Sequence, residues 1–423
     1  MKNWIKIAIV VTLISAFVIG GIIFYSLFLK PIEEEIEERE RRDSFSGIFP
    51  IGGSGSDDVT EGEDSFQIDE SKIAVPKLRL ISESPIAGSY SFKENENVVI
   101  RYVERETGHV IETTTSSLVD SRVSNETVPR VHEALFVEGG RSVIMRYLDS
   151  NETIKTIYKT IEKKDLEQSG NVFLPNNISQ LAVSPDSEEI FYLTDFSNRV
   201  DGFISSPDSL DRKRIFSSPI KEWLVYWEKN NEISLNTKPS NGVPGFLFSL
   251  NTESEKMTKL ISGKLGLISL PSPNTANILY SISDNSGTVL NVKEGGLEKS
   301  VTDFRAIAEK CVWSKLEEIS YCASSFSGVR ANYPDDWYSG IASFGDDIWT
   351  YDVESGVGEL FFDLEAEGLS LDLINMFLDE EETHLFFTNK KDLTLWSLRI
   401  KEPVTIFSTT TPETKEGGSE ESN

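Results

Sequence analysis

Histidine is nearly absent from this chain. Its 423 residues hold three, His109, His132 and His384, with no His-x-x-x-His or His-Glu-x-x-His spacing among them. A zinc centre or a histidine-based acid–base pair therefore has little to build on. A Gly-x-Ser-x-Gly elbow is also missing; the nearest match, GGSGS at 52–56, ends in serine and follows no strand pattern. No calcium loop of the Asp-x-Asp-x-Asp-Gly type occurs. Cysteine is limited to Cys311 and Cys322, too few for a disulfide-built scaffold and not in Cys-x-x-Cys spacing. Basic residues are in deficit, 41 against 69 acidic, for a net charge of -28. A field of that sign repels phosphate backbones, and the basic runs at 39–42 and 212–214 are short, so nucleic acid is excluded as a partner. No cofactor, no metal and no catalytic residue are expected. The acidity serves solubility first, cation binding or partner steering second.

Long apolar runs are equally scarce, and the single one lies at the N-terminus. From Ile7 to Leu29 no residue is charged, which as a helix spans about 34 Å, enough to cross a hydrocarbon core of about 30 Å. Trp4 and Tyr25 lie towards its two ends, where interfacial aromatics sit. The sequence FYSLFLKP at 24–31 offers no small-residue cleavage site, which favours an uncleaved signal anchor over a signal peptide. Lys2, Lys6 and the α-amino group precede the run, whereas Lys30 and then an acidic stretch at 32–38 follow it. This predicts a cytoplasmic N-terminus and an extracytoplasmic C-terminal domain at the cell membrane. The chain divides into a cytoplasmic tip and anchor (1–30), a charged stalk and Gly/Ser/Asp-rich linker (31–70), a large domain (71–405) and a polar tail (406–423) expected to be disordered.

What is abundant is aromatic and β-branched residues, with 24 Phe, 12 Tyr and 7 Trp, and these suit half-buried pleated surfaces. Within 71–405 one pattern recurs: a short apolar strand, a polar turn, and a second strand opening on an apolar residue. Clear copies are QLAVSPDSEEIFYLT from Gln180, HEALFVEGGRSVIMRYL from His132 and INMFLDEEETHLFFT from Ile374. The first apolar residues of the second strands are Val98, Val143, Ile190, Ile233, Ile278, Ile319 and Leu385. Their spacing of about 45 residues, with no helical stretch between, is that of propeller blades. The fold class is therefore all-β: a β-propeller of about seven four-stranded blades, six or eight being the rival counts. The segment KLRLIS at 77–82 belongs to no copy and is expected to close the ring as the outer strand of the last blade.

The copy SPDSEEIFYLT resembles the WD40-like repeat of TolB-type propellers, in which Ser-Pro-Asp-Gly precedes an apolar strand. Ser184, Pro185 and Asp186 match, and Ser187 replaces the glycine; Ser272-Pro273-Asn274 is a looser copy. The chain is also similar to membrane-anchored bacterial propeller proteins. The resemblance implies the fold and carries over no activity.

Two features stand apart from the repeat. Cys311 and Cys322 flank one predicted hairpin; pairing Trp313 with Ser320 sets them face to face, so a structural disulfide is expected, with two buried thiols as the alternative. After Ile319 the spacing exceeds the repeat by about 20 residues, in a segment that includes NYPDDWYSGIASFGDDIW at 332–349. Its Tyr333, Asp335, Asp336, Trp337, Tyr338, Asp346, Asp347 and Trp349 form the candidate interaction loop, able to take a protein partner, a sugar or a cation. The alternative is a self-packed extension over a blade edge. On the interaction reading, alanine at Trp337 and Tyr338 leaves folding intact. The function expected from all of this is a non-catalytic, membrane-anchored platform or scaffold for a protein partner in the cell envelope. A carbohydrate-binding or adhesive surface protein is the alternative, and a hydrolase using the propeller funnel the lesser one.

Overall fold

The computed structural model describes residues 75–161, 171–284, 287–325 and 331–401. The anchor, the stalk and linker and the polar tail lie outside the described residues, and no described helix is long and apolar enough to cross a membrane.

Four-stranded antiparallel sheets make up the domain, seven in all. Six are continuous in sequence, at 86–122, 131–173, 178–218, 223–265, 268–300 and 311–362. The seventh joins three strands at 373–399 to the strand Leu78–Ser82. We call these blades 1 to 7. All seven residues that marked the repeat fall in the second strand of a blade.

Burial explains why the second strand carries the sequence signal. In Ile190–Asp195 only the terminal aspartate is exposed, and Ile319–Ser324 is buried throughout except for its first residue. Both faces of such a strand pack on neighbouring blades, so it reads as a near-continuous apolar run. Outer strands face water: every residue of Leu297–Ser300 and of Ser121–Arg122 is exposed.

Apolar cores lie between blades, one at each junction. Phe191, Leu193 and Val200 of blade 3 pack with Trp223, Trp227 and Ile233 of blade 4, for example. Inner strands come close enough at one point to require glycine: a Cβ on Gly88 of blade 1 would lie 2.0 Å from the carbonyl oxygen of Ala134 in blade 2. The junction between blades 7 and 1 contains Ile81, Ile86, Ile100, Tyr102, Phe386 and Leu395. It forms only when the first described strand meets the last. Leu78–Ser82 runs antiparallel to Leu395–Arg399, with Leu78 opposite Leu398 and Leu80 opposite Trp396. Arg79 then reaches across into blade 1, donating to the Thr114 carbonyl at 2.8 Å and to Thr113 Oγ1 at 3.3 Å.

Turns between first and second strands hold the repeat's polar residues. In blade 3, Ser184 Oγ donates to Asp186 Oδ1 at 2.5 Å, and Asp186 accepts from the Glu188 amide at 3.2 Å. Ser187, in the glycine's place, has φ +65. Blade 7 puts Glu382 at φ +52 in its own turn, and there the side chain repays the strained backbone. The nearly buried Glu382 carboxylate accepts from Ser314 Oγ at 2.6 Å and from the Lys315 and Leu316 amides of blade 6.

These two left-handed positions predict opposite outcomes. Ser187→Gly removes a left-handed cost of about 1 kcal/mol and raises the denaturation midpoint. Glu382→Gly relieves the same backbone but takes the acceptor from the Ser314 hydroxyl and the Lys315 amide, the Leu316 amide keeping Ser314 Oγ, and lowers stability by about 1–3 kcal/mol. Urea unfolding of both variants checks the pair; equal effects of one sign would show that backbone strain does not decide these turns.

Candidate functional site

One connection breaks the regularity of the ring. Between the second and third strands of blade 6 the chain makes an excursion, described from 331 onwards, with one helical turn at Asp335–Tyr338. The excursion is tied to three other blades. Asp335 accepts from Ser240 Oγ at 2.8 Å and from the Asn241 amide at 2.5 Å, both in blade 4. Ser283 of blade 5 donates to the Tyr333 carbonyl, and Lys390 of blade 7 donates to the Trp337 carbonyl at 2.7 Å.

A buried ion cluster fastens it from below. Lys310 Nζ lies 2.6 Å from both Asp346 Oδ2 and Asp372 Oδ1, and all three side chains are at most 1% exposed. The ammonium also sits 4.1 Å from the Phe344 ring centroid. Asp372 accepts in addition from Trp337 Nε1 at 3.2 Å, Ser343 Oγ at 3.1 Å and the Phe344 amide at 3.1 Å. Two carboxylates share one cation, so one negative charge is in surplus, and the two respond differently. Burial pushes the Asp346 carboxyl up to about 6, because Lys310 and the Leu373 amide do not offset its desolvation. Burial also acts on Asp372, but there Lys310 and the bonds from Phe344 and Trp337 outweigh it and hold the carboxyl below the usual range.

A second polar group joins the excursion to the turn that precedes blade 6. Tyr338 donates to Glu309 Oε2 at 2.5 Å. Burial raises the Glu309 carboxyl against the opposing Tyr338 bond and Lys390 charge. Burial likewise lifts the Tyr226 and Tyr338 hydroxyls.

Beside the excursion, blades 4, 5 and 6 enclose a cleft of about 1250 Å³. Asn241 and Leu265 form one wall, Ser283 and Thr288 another, and Arg305 with Asp303 line the link between blades 5 and 6. The excursion adds Asn332, Tyr333 and Asp336, with Phe344 and Asp346 in the floor. Tyr333 and Phe344 stack at 5.4 Å.

The candidate loop residues are thus dispersed in role. Trp337, 2% exposed, packs in the core between blades 5 and 6 and is not a surface contact. Its truncation would open a core cavity at a cost of about 3–5 kcal/mol, so the expectation that alanine there leaves folding intact is corrected. Tyr333 and Asp346 are also buried, whereas Tyr338 remains partly open at 36%. Asp335 and Asp336 are half-buried ties. Asp347 and Trp349 belong to the third strand of blade 6, Asp347–Asp352, and not to a loop. Asp347 accepts from the Leu364 amide, and Trp349 stacks on Phe304. Cys311 and Cys322 lie opposite one another and are joined as a disulfide in the hairpin of blade 6. Among the described residues no three His, Cys, Asp or Glu side chains converge as a metal site. Sequence reading missed Lys310, Asp372, Lys390 and Thr288. Lys310 lies 36 and 62 residues from its two partners, and no local pattern marks it.

No family model and no curated protein matches the chain. Solved structures do. The chain is similar to an oligogalacturonate lyase from Vibrio parahaemolyticus at 8% identity and TM-score 0.47, over 75% of this chain and 98% of that one. TolB from Acinetobacter baumannii matches at 9% identity and TM-score 0.39, over 74% and 79%. An acylaminoacyl peptidase from Pyrococcus horikoshii matches at 10% identity and TM-score 0.41, over 59% of this chain and 40% of its own.

The ion cluster predicts an unusual pH dependence. Between 3.8 and about 6 the native state holds the Asp346 proton that the unfolded chain releases, so this group's contribution to stability falls as pH rises through that window. Asp372 acts in the opposite sense and only as pH falls below its ordinary 3.8. Urea unfolding from pH 4 to pH 8 should show the first slope in the native protein and a flatter profile in Asp346→Asn. An unchanged slope in the variant would assign it elsewhere.

Proposed function

We propose that this chain is a membrane-anchored, extracytoplasmic propeller that serves as a non-catalytic platform for a protein partner in the cell envelope. The observation that carries this reading is the braced excursion of blade 6, a connection longer than the fold requires and fixed to blades 4, 5 and 7. It presents Ile341, 78% exposed, and the blade 4 connection bonded to it presents Val243, 50% exposed. Apolar anchors among carboxylates suit a partner surface with an apolar centre and a basic rim. The uncharged run from Ile7 to Leu29 and the Gly/Ser-rich linker support the location. Polar groups from several blades do gather at one end of the ring, the feature an envelope hydrolase would need. Their engagement with one another, with Lys310 held by two aspartates and Asp372 by four donor groups, supports bracing over chemistry.

A photo-crosslinker at Ile341 in intact cells, read by mass spectrometry, is expected to give one dominant protein adduct. Ile341→Asp should weaken a crosslink placed at neighbouring Tyr338 about tenfold with no change in melting. Glycan-only adducts, or none, would overturn the reading. Protease added outside the cell membrane should digest the large domain; its protection would reverse the orientation.

A further inference from the structure

The cleft between blades 4, 5 and 6 has features that the platform reading does not use. It is larger than the roughly 300–1,000 Å³ typical of small-ligand pockets, at about 1250 Å³, so it has room for an oligomer. Two of its lining residues carry buried polar atoms with no hydrogen-bond partner in the protein, Thr288 Oγ1 and Asp346 Oδ1. Buried polar atoms are almost always paired, so two on one cleft point to a ligand that pairs them. Asp346 Oδ1 calls for a donor, and Thr288 Oγ1 can both donate and accept, as a sugar hydroxyl does. Asn241 Nδ2 donates to Asn332 Oδ1 at 3.3 Å, which leaves the Asn241 carbonyl oxygen as an acceptor and the Asn332 amide nitrogen as a donor in the cleft lining. The stacked pair Tyr333 and Phe344 supplies an apolar wall against which C–H faces can lie.

Charge narrows the class. The cleft is lined by four carboxylates, Asp284, Asp303, Asp336 and Asp346, against Arg305 and Lys310, and Lys310 is already held by two aspartates. A ligand bearing carboxylates, phosphates or sulfates would add negative charge to a negative site. We propose that this cleft binds an oligosaccharide without acidic groups. The proposal goes beyond the platform reading and does not depend on it, since the saccharide site lies in the cleft and the protein contact on the exposed residues outside it.

Calorimetric titration of the full chain in detergent tests it, with chitotetraose, cellotetraose and maltotetraose as neutral probes and tetragalacturonate as the acidic counterpart. At least one neutral tetrasaccharide should bind with a Kd of about a millimolar or tighter, and tetragalacturonate about tenfold or more weakly than that. Thr288→Val keeps the side-chain shape and removes the hydroxyl; it should weaken neutral binding about tenfold with an unchanged melting temperature. Asp284→Asn, at an exposed position, should narrow the preference over tetragalacturonate. No binding by any neutral probe, equal binding of the acidic one, or native affinity in Thr288→Val would each overturn the proposal.

Discussion

Everything in this domain depends on blades burying their faces against one another. A four-stranded sheet has two faces and cannot cover either alone; here each face finds a neighbour, and the apolar cores sit at the junctions. At about 1.5–3 kcal/mol for each fully buried large apolar side chain, one junction is a large fraction of a domain's net stability. The junction between blades 7 and 1 exists only because Leu78–Ser82 pairs with Leu395–Arg399. Closure therefore couples the two ends of the domain and completes the last blade with its fourth strand.

The same geometry creates the asymmetry on which function can be built. Six blades connect their second and third strands briefly, and blade 6 does not. Its excursion would not stay on the face without internal ties, and the Lys310 cluster provides them where water is absent. Burying three charged groups is costly unless each is paired and hydrogen-bonded, and this arrangement nearly meets that condition. The exception is Asp346 Oδ1, whose lack of a partner coincides with the raised carboxyl of that residue. Electrostatic cost and candidate binding site thus fall on the same side chain.

Two surfaces follow from one device. The top of the excursion offers exposed apolar side chains beside carboxylates, and its flank encloses a polar cleft. Bracing the segment between blades rather than leaving it free reduces the entropy that binding would otherwise cost. The acidic character of the chain acts at both places by disfavouring anionic ligands.

The number of blades and their phasing were legible in the sequence because second strands are buried on both faces, which forces a run of apolar residues about every 45 positions. The closing strand KLRLIS could be read for a related reason: it was an apolar segment left over from every copy. The opposed cysteines followed from hairpin register, which is local. Outer strands such as Leu297–Ser300 were not legible, since water imposes no pattern on them. Nor was the role of the aromatic segment at 332–349. Its composition marked it as unusual, but whether Trp337 pointed out or in depended on Lys310 and Asp372, which the sequence places far away. Local periodicity reports what one strand needs, whereas the excursion and its cleft are assembled from four blades. Only the closed ring brings those residues together.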